Sequence, residues 1–507
     1  MEIFLFALYE IFSFQNITLL FIGCLLALIL GILPGLSSTE AILILLPFTF
    51  TLELNQSMIL ISAAYSSAFV GGAVTSIIFG IPGTSTGLAT IIDGHPLHKK
   101  GKTLYAVSVA AYSSAFAGIL SIFIVIMLLP IIDDVSLLFG PAEWFAFVVL
   151  GLVILAFSNE GSFLKSLISA GLGLLLSVIG LSIITGFPRY TFGYTEMWGG
   201  IPIIAAFVGL YPMTEAISMI NSSNDQFKIN PEEFKKNIKE NSIQLRNGLK
   251  DTIIHSPKWI LAGTVGWFVG VMPGVGGVLA NMLGYLVVKE TSKNKIEFGK
   301  GDVRGLIASE AANNGSVGGA LVPALALGIP GSLNTAILLG VFMINGIQPG
   351  TNVFTENLDV TWIILLSVSL ATLLSSSIII FGGWRLVTLI SQLNPKVLAP
   401  TIIFLGCLAV ILSRGNPTDL IFAGVMTFFG IFMKRYNYSR ISLVIALMLG
   451  SLVESSFFQA LAIGRGSYSI FFKSPTSLII WLVVLICILL HFYKFINYSR
   501  GSKNANL

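Results

Sequence analysis

The hydrophobic pattern of this chain comes in apolar blocks separated by short polar stretches, and the order of blocks occurs twice. Residues 17–33 and 36–50 are apolar arms on either side of Pro34-Gly35, and residues 58–92 form a block interrupted at Pro82-Gly83. Four uninterrupted blocks follow at 104–130, 142–158, 164–186 and 199–219. The second set has arms at 258–272 and 274–288 around Pro273-Gly274, then 306–344 interrupted at Pro330-Gly331. Its uninterrupted blocks lie at 360–383, 397–413, 418–433 and 441–462, with one more at 476–493. A bilayer-crossing helix needs about 20 apolar residues. The full blocks therefore predict spans, and the shorter arms predict broken helices or re-entrant hairpins. Proline removes a backbone donor and glycine tolerates positive φ, so each Pro-Gly pair breaks a helix. Within a membrane such a break is tolerated only where it is buried in protein or lines a wet cavity.

The linking stretches complete the plan. Residues 1–16 are apolar and aromatic with Glu2 and Glu10, which predicts an interfacial helix. Residues 220–257 turn polar, and Pro231 followed by Glu232 and Glu233 predicts the start of an amphipathic helix. The expected fold class is an all-α polytopic membrane protein with two inverted-topology repeats and about 11–13 membrane segments. The expected domains are membrane repeat 1 (1–219), a cytoplasmic amphipathic linker helix (220–257), membrane repeat 2 (258–475) and an extra C-terminal span with a tail (476–507).

Composition makes the membrane reading firm. The 507 residues are 55% hydrophobic and only 10% charged, with mean hydropathy +0.90, against about 25% charged residues in an average soluble domain. The net charge of +4 is carried mostly by loops, so it gives no reason to expect nucleic acid as a partner. The first Lys or Arg is Lys99, so no basic n-region of a signal peptide opens the chain. Cys24, Cys407 and Cys487 stand singly and the four His are scattered, which suggests neither a disulfide framework nor a metal site.

Charge also orients the halves. After the first hairpin, residues 51–56 hold no Lys or Arg, whereas the loop after the next element holds Lys99, Lys100 and Lys102. In the second half the pattern is exchanged: Lys289, Lys293, Lys295, Lys300 and Arg304 follow the hairpin, and residues 345–359 hold none. Cytoplasmic loops collect Lys and Arg, so equivalent loops lie on opposite sides and the repeats are inverted. This topology puts 220–257, Lys434, Arg435, Arg440 and the C-terminal tail inside. Arg189, Arg465 and Lys473 land outside, against the trend.

Paired Gly/Pro breaks in two halves of a membrane protein point to a transporter's binding site. The candidate substrate and ion residues are Pro34, Gly35, Ser37, Ser38, Thr39 and Glu40 at the first break, and Gly83, Thr84 and Ser85 at the second, with Thr86 beside them. Their counterparts are Pro273, Gly274, Gly276, Gly277 and Asn281, then Pro330, Gly331 and Ser332, followed by Asn334 and Thr335. Half-helix N-termini offer free N–H groups to a carboxylate, and C-terminal carbonyls offer ligands to a cation. Glu310 is a proton or sodium site or else a helix cap, and Glu40 is an ion site or an interface residue. Asn313 and Asn314 offer amide donors and acceptors ahead of Gly318-Gly319, for a carboxylate, for sodium, or for an interhelical bond. Asp93, in Asp93-Gly94-His95-Pro96, suggests a turn. No nucleophile–base constellation occurs, so an enzyme is not expected, and no cofactor is called for beyond a coupling cation, H+ or Na+.

Several of these runs together resemble one family. Gly31-x-x-Pro34-Gly35, Asp93-Gly94-x-Pro96, Gly186-Phe187-Pro188-Arg189, Phe298-Gly299-x-Gly301, Glu310-Ala311-Ala312-Asn313-Asn314 and Gly328-Ile329-Pro330-Gly331-Ser332 are similar to the large membrane subunit of tripartite tricarboxylate transporters, the TctA family. The resemblance covers about residues 15 to 480. It implies a secondary transporter driven by an ion gradient in the bacterial inner membrane. It also implies two partners, a small four-span membrane subunit and a periplasmic solute-binding protein that delivers a tricarboxylate, dicarboxylate or aromatic carboxylate. The sequence departs from the family at Glu40, where members usually have a small or apolar residue, and at Ser182, where they commonly have Asp. The residues read by themselves leave open a receptor-independent permease for another small solute.

Overall fold

The computed structural model describes residues 2–33, 38–80, 83–84, 86–136, 140–158, 163–182, 184–220, 238–272, 276–345, 347, 350, 353, 357–390, 395–486 and 488–489. The described chain is almost wholly helical. Helix α1 (Glu2–Ile11) and helix α2 (Phe14–Ile32) precede the first break, with Ser13 capping α2 by accepting the Asn16 N–H. Helices α3 (Ser38–Thr49), α4 (Leu54–Phe79), α5 (Leu88–Lys99), α6 (Thr103–Ser136), α7 (Pro141–Ser158) and α8 (Phe163–Ser177) follow. Helix α9 is continuous through Ile203–Val208, Gly209–Met213 and Thr214–Ile220; Pro212 lacks an N–H, and the ladder widens to a π turn there.

After α10 (Ile238–Ile254) the same succession of lengths returns: α11 (Ser256–Val271), α12 (Gly276–Glu290), α13 (Val303–Leu327), α14 (Leu333–Ile344), α15 (Leu358–Ile390), α16 (Pro395–Arg414), α17 (Asp419–Arg435) and α18 (Arg440–Ile463). Among the described residues five helices are long and apolar enough to cross a membrane: Phe14–Ile32, Leu54–Phe79, Thr103–Pro130, Leu358–Gly382 and Ser442–Ile463. The expected start of the linker helix at Pro231 lies outside the described residues.

Two compact units divide the chain, residues 1–133 with 204–430, and residues 134–203 with 431–507. In the first unit, α4 and α13 are the buried axes; the apolar length of Leu54–Phe79 is buried throughout. That burial explains their composition of Gly, Ala and Ser, because small residues let helix backbones approach. A Cβ added at Gly31 of α2 would lie 2.6 Å from the Ala68 carbonyl oxygen of α4, and one at Gly266 of α11 would lie 2.1 Å from the Ala312 carbonyl oxygen of α13. Both long helices end on a left-handed glycine, Gly80 at φ 65° and Gly328 at φ 63°. The N–H of Gly328 returns to the Ala324 carbonyl (3.0 Å) and that of Ile329 to the Pro323 carbonyl (3.1 Å), satisfying the helix end before Pro330.

In the same unit, α9 packs on α16 and α17; a Cβ at Gly209 would meet the Ala423 carbonyl oxygen at 2.4 Å. The second unit packs α18 on α7 and α8, with Gly173 against the Leu443 carbonyl (2.2 Å from an added Cβ). The last helix of each half therefore packs on helices of the other half.

Two expectations are corrected here. The block 164–186 does not continue as one span. Helix α8 ends at Ser177, and Gly180–Leu181 pairs antiparallel with Pro188–Arg189 in a short ribbon. Gly180 (φ 119°) and Gly186 (φ 69°) adopt backbone that a helix does not use, and Pro188 brings no N–H. Asp93 does not make a turn: it lies inside α5, which accommodates Pro96 in its last turns.

Candidate functional site

All described candidate residues fall in the first unit, and several of them gather in two clusters. The first cluster joins α3 to α14. Ser332 caps α14 by accepting the Thr335 N–H (3.3 Å), while Thr335 Oγ1 accepts the Ser332 N–H (2.9 Å). This reciprocal box fixes the first turn and so places Asn334. The amide of Asn334 then donates to Ser38 Oγ (2.8 Å) and accepts from Thr39 Oγ1 (2.8 Å), the opening residues of α3. Glu40 is buried in that same first turn of α3.

The second cluster joins α5, α12 and α13. The Ala89 N–H at the start of α5 donates to Asn281 Oδ1 (2.8 Å), and Asn281 Nδ2 donates to the Ser309 carbonyl (2.9 Å). Thr84 and Thr86 hydroxyls lie 3.0 Å apart. A Cβ at Gly277 would meet Thr86 Cγ2 at 2.5 Å, so glycine is what lets α12 and this turn meet. Glu310, fully buried, accepts from Thr90 Oγ1 and from Ser114 Oγ (3.2 Å). One turn further along α13, the Oδ1 atoms of Asn313 and Asn314 are buried without a hydrogen-bond partner, while Asn314 Nδ2 lies 3.3 Å from the Glu310 carbonyl.

Other candidates serve packing or capping. Gly83 lies against Gly72, its added Cβ 2.3 Å from the Gly72 carbonyl, and donates its N–H to Ser76 Oγ (3.2 Å). Gly331 lies against Ala320, and Pro330 is buried at the turn. Gly276 opens α12. Pro34, Gly35, Ser37, Ser85, Pro273 and Gly274 lie outside the described residues. Among the described residues no group of three or more His, Cys, Asp or Glu gathers to hold a metal ion.

A family model for the tripartite tricarboxylate transporter TctA family matches residues 17–445. The chain belongs to the TctA family. A relative from Agrobacterium vitis, "Uncharacterized 52.8 kDa protein in TAR-I ttuC' 3'region", is 31% identical over 490 residues, covering 94% of this chain and 93% of its own length. A second, "Uncharacterized protein in TAR-II ttuC' 3'region" of the same organism, is 31% identical over 227 residues, 44% of this chain and 93% of its own. No solved structure matches. This TctA protein is thus a membrane-embedded transporter subunit, and membership of a transporter family points away from an enzyme.

Two TctA motifs that lie far apart in sequence meet in this structure. Asp93 Oδ1 accepts the N–H groups of Gly299, Gly301 and Asp302, each at 2.8 Å, and Asp93 Oδ2 accepts the Tyr285 hydroxyl at 3.0 Å. The motif around Asp93 in α5 therefore holds the Phe298-Gly299-x-Gly301 loop ahead of α13. In the second unit, Arg189 of the ribbon makes a bidentate pair with Glu454 of α18 (2.6 and 2.9 Å). The hydrogen bonds to Glu454 hold the Arg189 pKa above its ordinary value.

Sequence reasoning missed Thr90, Ser114 and Ser309. The Ser113-Ser114 pair inside an otherwise apolar block was the available signal for one of them. Thr90 and Ser309 carry no pattern signal, because one hydroxyl in a helix is neutral to periodicity.

Proposed function

We propose that this TctA subunit is an ion-gradient-driven importer of a carboxylate, which a periplasmic binding protein delivers and which crosses by alternating access. A small membrane subunit completes the complex. The two halves are inverted in the bacterial inner membrane, with the broken arms re-entrant and the C-terminus cytoplasmic, as the exchanged pattern of Lys and Arg in equivalent loops argues.

The observation that carries the reading is the junction at Asn334. Its side chain ties the N-terminal turn of α14 to that of α3 through Ser38 and Thr39. Two helix N-termini from different halves converge there, and the pair at Ala89 and Asn281 repeats the arrangement between α5 and α12. Converging N-termini lined by hydroxyls and amides stabilise an anion through N–H donors and aligned dipoles without a buried Arg. Residues drawn from both halves suit a site that opens alternately as the halves rock.

Asn334→Ala and Asn281→Ala test the assignment. Losing hydrogen bonds to a charged ligand costs about 1.5–3 kcal/mol, or roughly 10- to 150-fold in affinity. Uptake should fall by that order while the amount of protein in the membrane stays normal. Unchanged uptake in both variants would remove these tips from the site.

A further inference from the structure

We propose that Glu310 is the proton-carrying group of the transport cycle, and that Thr90 links its protonation to the tip of α5. The proposal rests on the importer reading above and names its coupling ion.

Among the described residues no Lys, Arg or His pairs with Glu310; its side-chain partners are the hydroxyls of Thr90 and Ser114. The charged and titratable groups on the helices packed against α13 are engaged elsewhere or lie at helix ends. On α5, Asp93 is held by the loop amides and by Tyr285 of α12, while His95 and His98 bond the Ile77 carbonyl and Thr103. Lys99, Lys289 and Glu290 lie in the last turns of their helices, and Glu290 pairs with Lys295. On α4, the Tyr65 hydroxyl donates to the Val317 carbonyl. On α6, Tyr105 bonds Asp251, and Tyr112 lies two residues before Ser114. Lys258 at the start of α11 reaches Thr291, Arg304 of α13 itself is paired with Asp302, and α14 carries no titratable side chain. A carboxylate buried with no cation is costly, and the inexpensive solution is to bind a proton.

The hydrogen inventory around Glu310 accommodates a proton. Ser309 Oγ gives its hydrogen to the Leu306 carbonyl (3.0 Å), so it can only accept from Thr90 Oγ1 at 3.5 Å. When Thr90 turns its hydrogen to Ser309, Glu310 must carry the proton that bridges Oε1 to Thr90. When Thr90 turns its hydrogen to Oε1, that oxygen is an acceptor, as an ionised Glu310 requires. Ser114 donates to Oε2 in both states. One hydroxyl rotation thus accommodates both protonation states on the same atoms. Sodium is the competing occupant, because the Oδ1 atoms of Asn313 and Asn314 are buried without a partner one turn along α13, whereas Thr90 contacts Glu310 directly and Asn281 Oδ1 is occupied by the Ala89 N–H. Thr90 lies in the first turn of α5 next to Ala89, so the proton on Glu310 bears on the tip that borders the candidate carboxylate site. A proton arriving from outside would be taken by Glu310 and released to the inside after the tip moves.

Infrared pH-difference spectroscopy on the full-length protein in lipid nanodiscs, without substrate, tests the protonation. The expected result is a neutral-carboxyl band that disappears on alkalinisation, is missing from Glu310→Gln and is insensitive to sodium chloride at fixed pH. Thr90→Val, a gentler change, should keep the band and shift the pH of its loss by about one unit. Identical spectra for wild type and Glu310→Gln, loss of the band on adding sodium, or no shift in Thr90→Val would overturn the proposal. Proteoliposome uptake of labelled citrate, succinate and benzoate, with the partner subunit and binding protein present, separates the two readings. If wild type accumulates a carboxylate under a pH gradient and Glu310→Gln does so equally, the proton assignment fails and the importer stands. If the band titrates as expected but wild type moves none of them, the importer reading fails and the protonation of Glu310 stands.

Discussion

Asp93 shows what one buried carboxylate does for the path of the chain. Its Oδ1 gathers the N–H groups of Gly299, Gly301 and Asp302 at 2.8 Å, and the loop they belong to leads straight into α13, which carries Glu310, Asn313 and Asn314. Asp93→Ala strands those donors; each hydrogen bond to a charged group is worth about 1.5–3 kcal/mol. Amide exchange at Gly299, Gly301 and Asp302 should accelerate roughly 10- to 100-fold, at 1.4 kcal/mol per tenfold. Unchanged protection would show that the loop is held by other means. At this scale the sequence was partly legible. Polar residues standing in apolar blocks, such as Asn281, Glu310 and Asn334, announce themselves because burial penalises them. Thr90 and Ser309 do not, since their importance arises only when α5 and α13 come together. Asp93 misled because Asp-Gly-x-Pro reads locally as a turn, while the acceptor it provides is used by a segment some two hundred residues away.

At the scale of elements, the Pro-Gly pairs marked the breaks well because backbone chemistry at those positions is local. The helices α3, α4, α12, α13 and α14 begin and end within a few residues of the expected arms, while α5 runs seven residues past the expected end at 92, to Lys99. The end of α8 was not legible, because its apolar composition continues into the ribbon after the helix stops at Ser177. Packing explains most of the glycines, whose role pattern alone leaves ambiguous. Gly266→Ala places a methyl 2.1 Å from the Ala312 carbonyl oxygen, and overpacking of this kind costs about 1–3 kcal/mol or more. The purified variant should melt several degrees below wild type, whereas Gly171→Ala, with nothing within 4 Å of the added Cβ, should melt no lower than wild type. Equal melting of the two variants would contradict the close approach of α11 and α13.

For the whole molecule, the last helix of each half packs among helices of the other, α9 on α16 and α17, and α18 on α7 and α8. Nothing in the linear pattern announces this exchange, because each block is equally apolar toward either neighbour. The proposed opposed orientation of the halves rests on loop charge alone. It predicts that a cysteine at Asn294 reacts with impermeant reagent from the cytoplasm alone, and one at Asn352, outside the described residues, from the periplasm alone. Reaction of both from one side would contradict opposed halves.

The central claim is that this TctA subunit moves a carboxylate uphill on an ion gradient, and uptake measures it most directly. The protein, its small membrane partner and a loaded binding protein are reconstituted in proteoliposomes, and labelled carboxylates are offered under imposed proton or sodium gradients. The account predicts accumulation of a carboxylate under the proton gradient and its collapse when that gradient is dissipated. Folded protein that accumulates no carboxylate under either gradient, with the binding protein loaded, would contradict it.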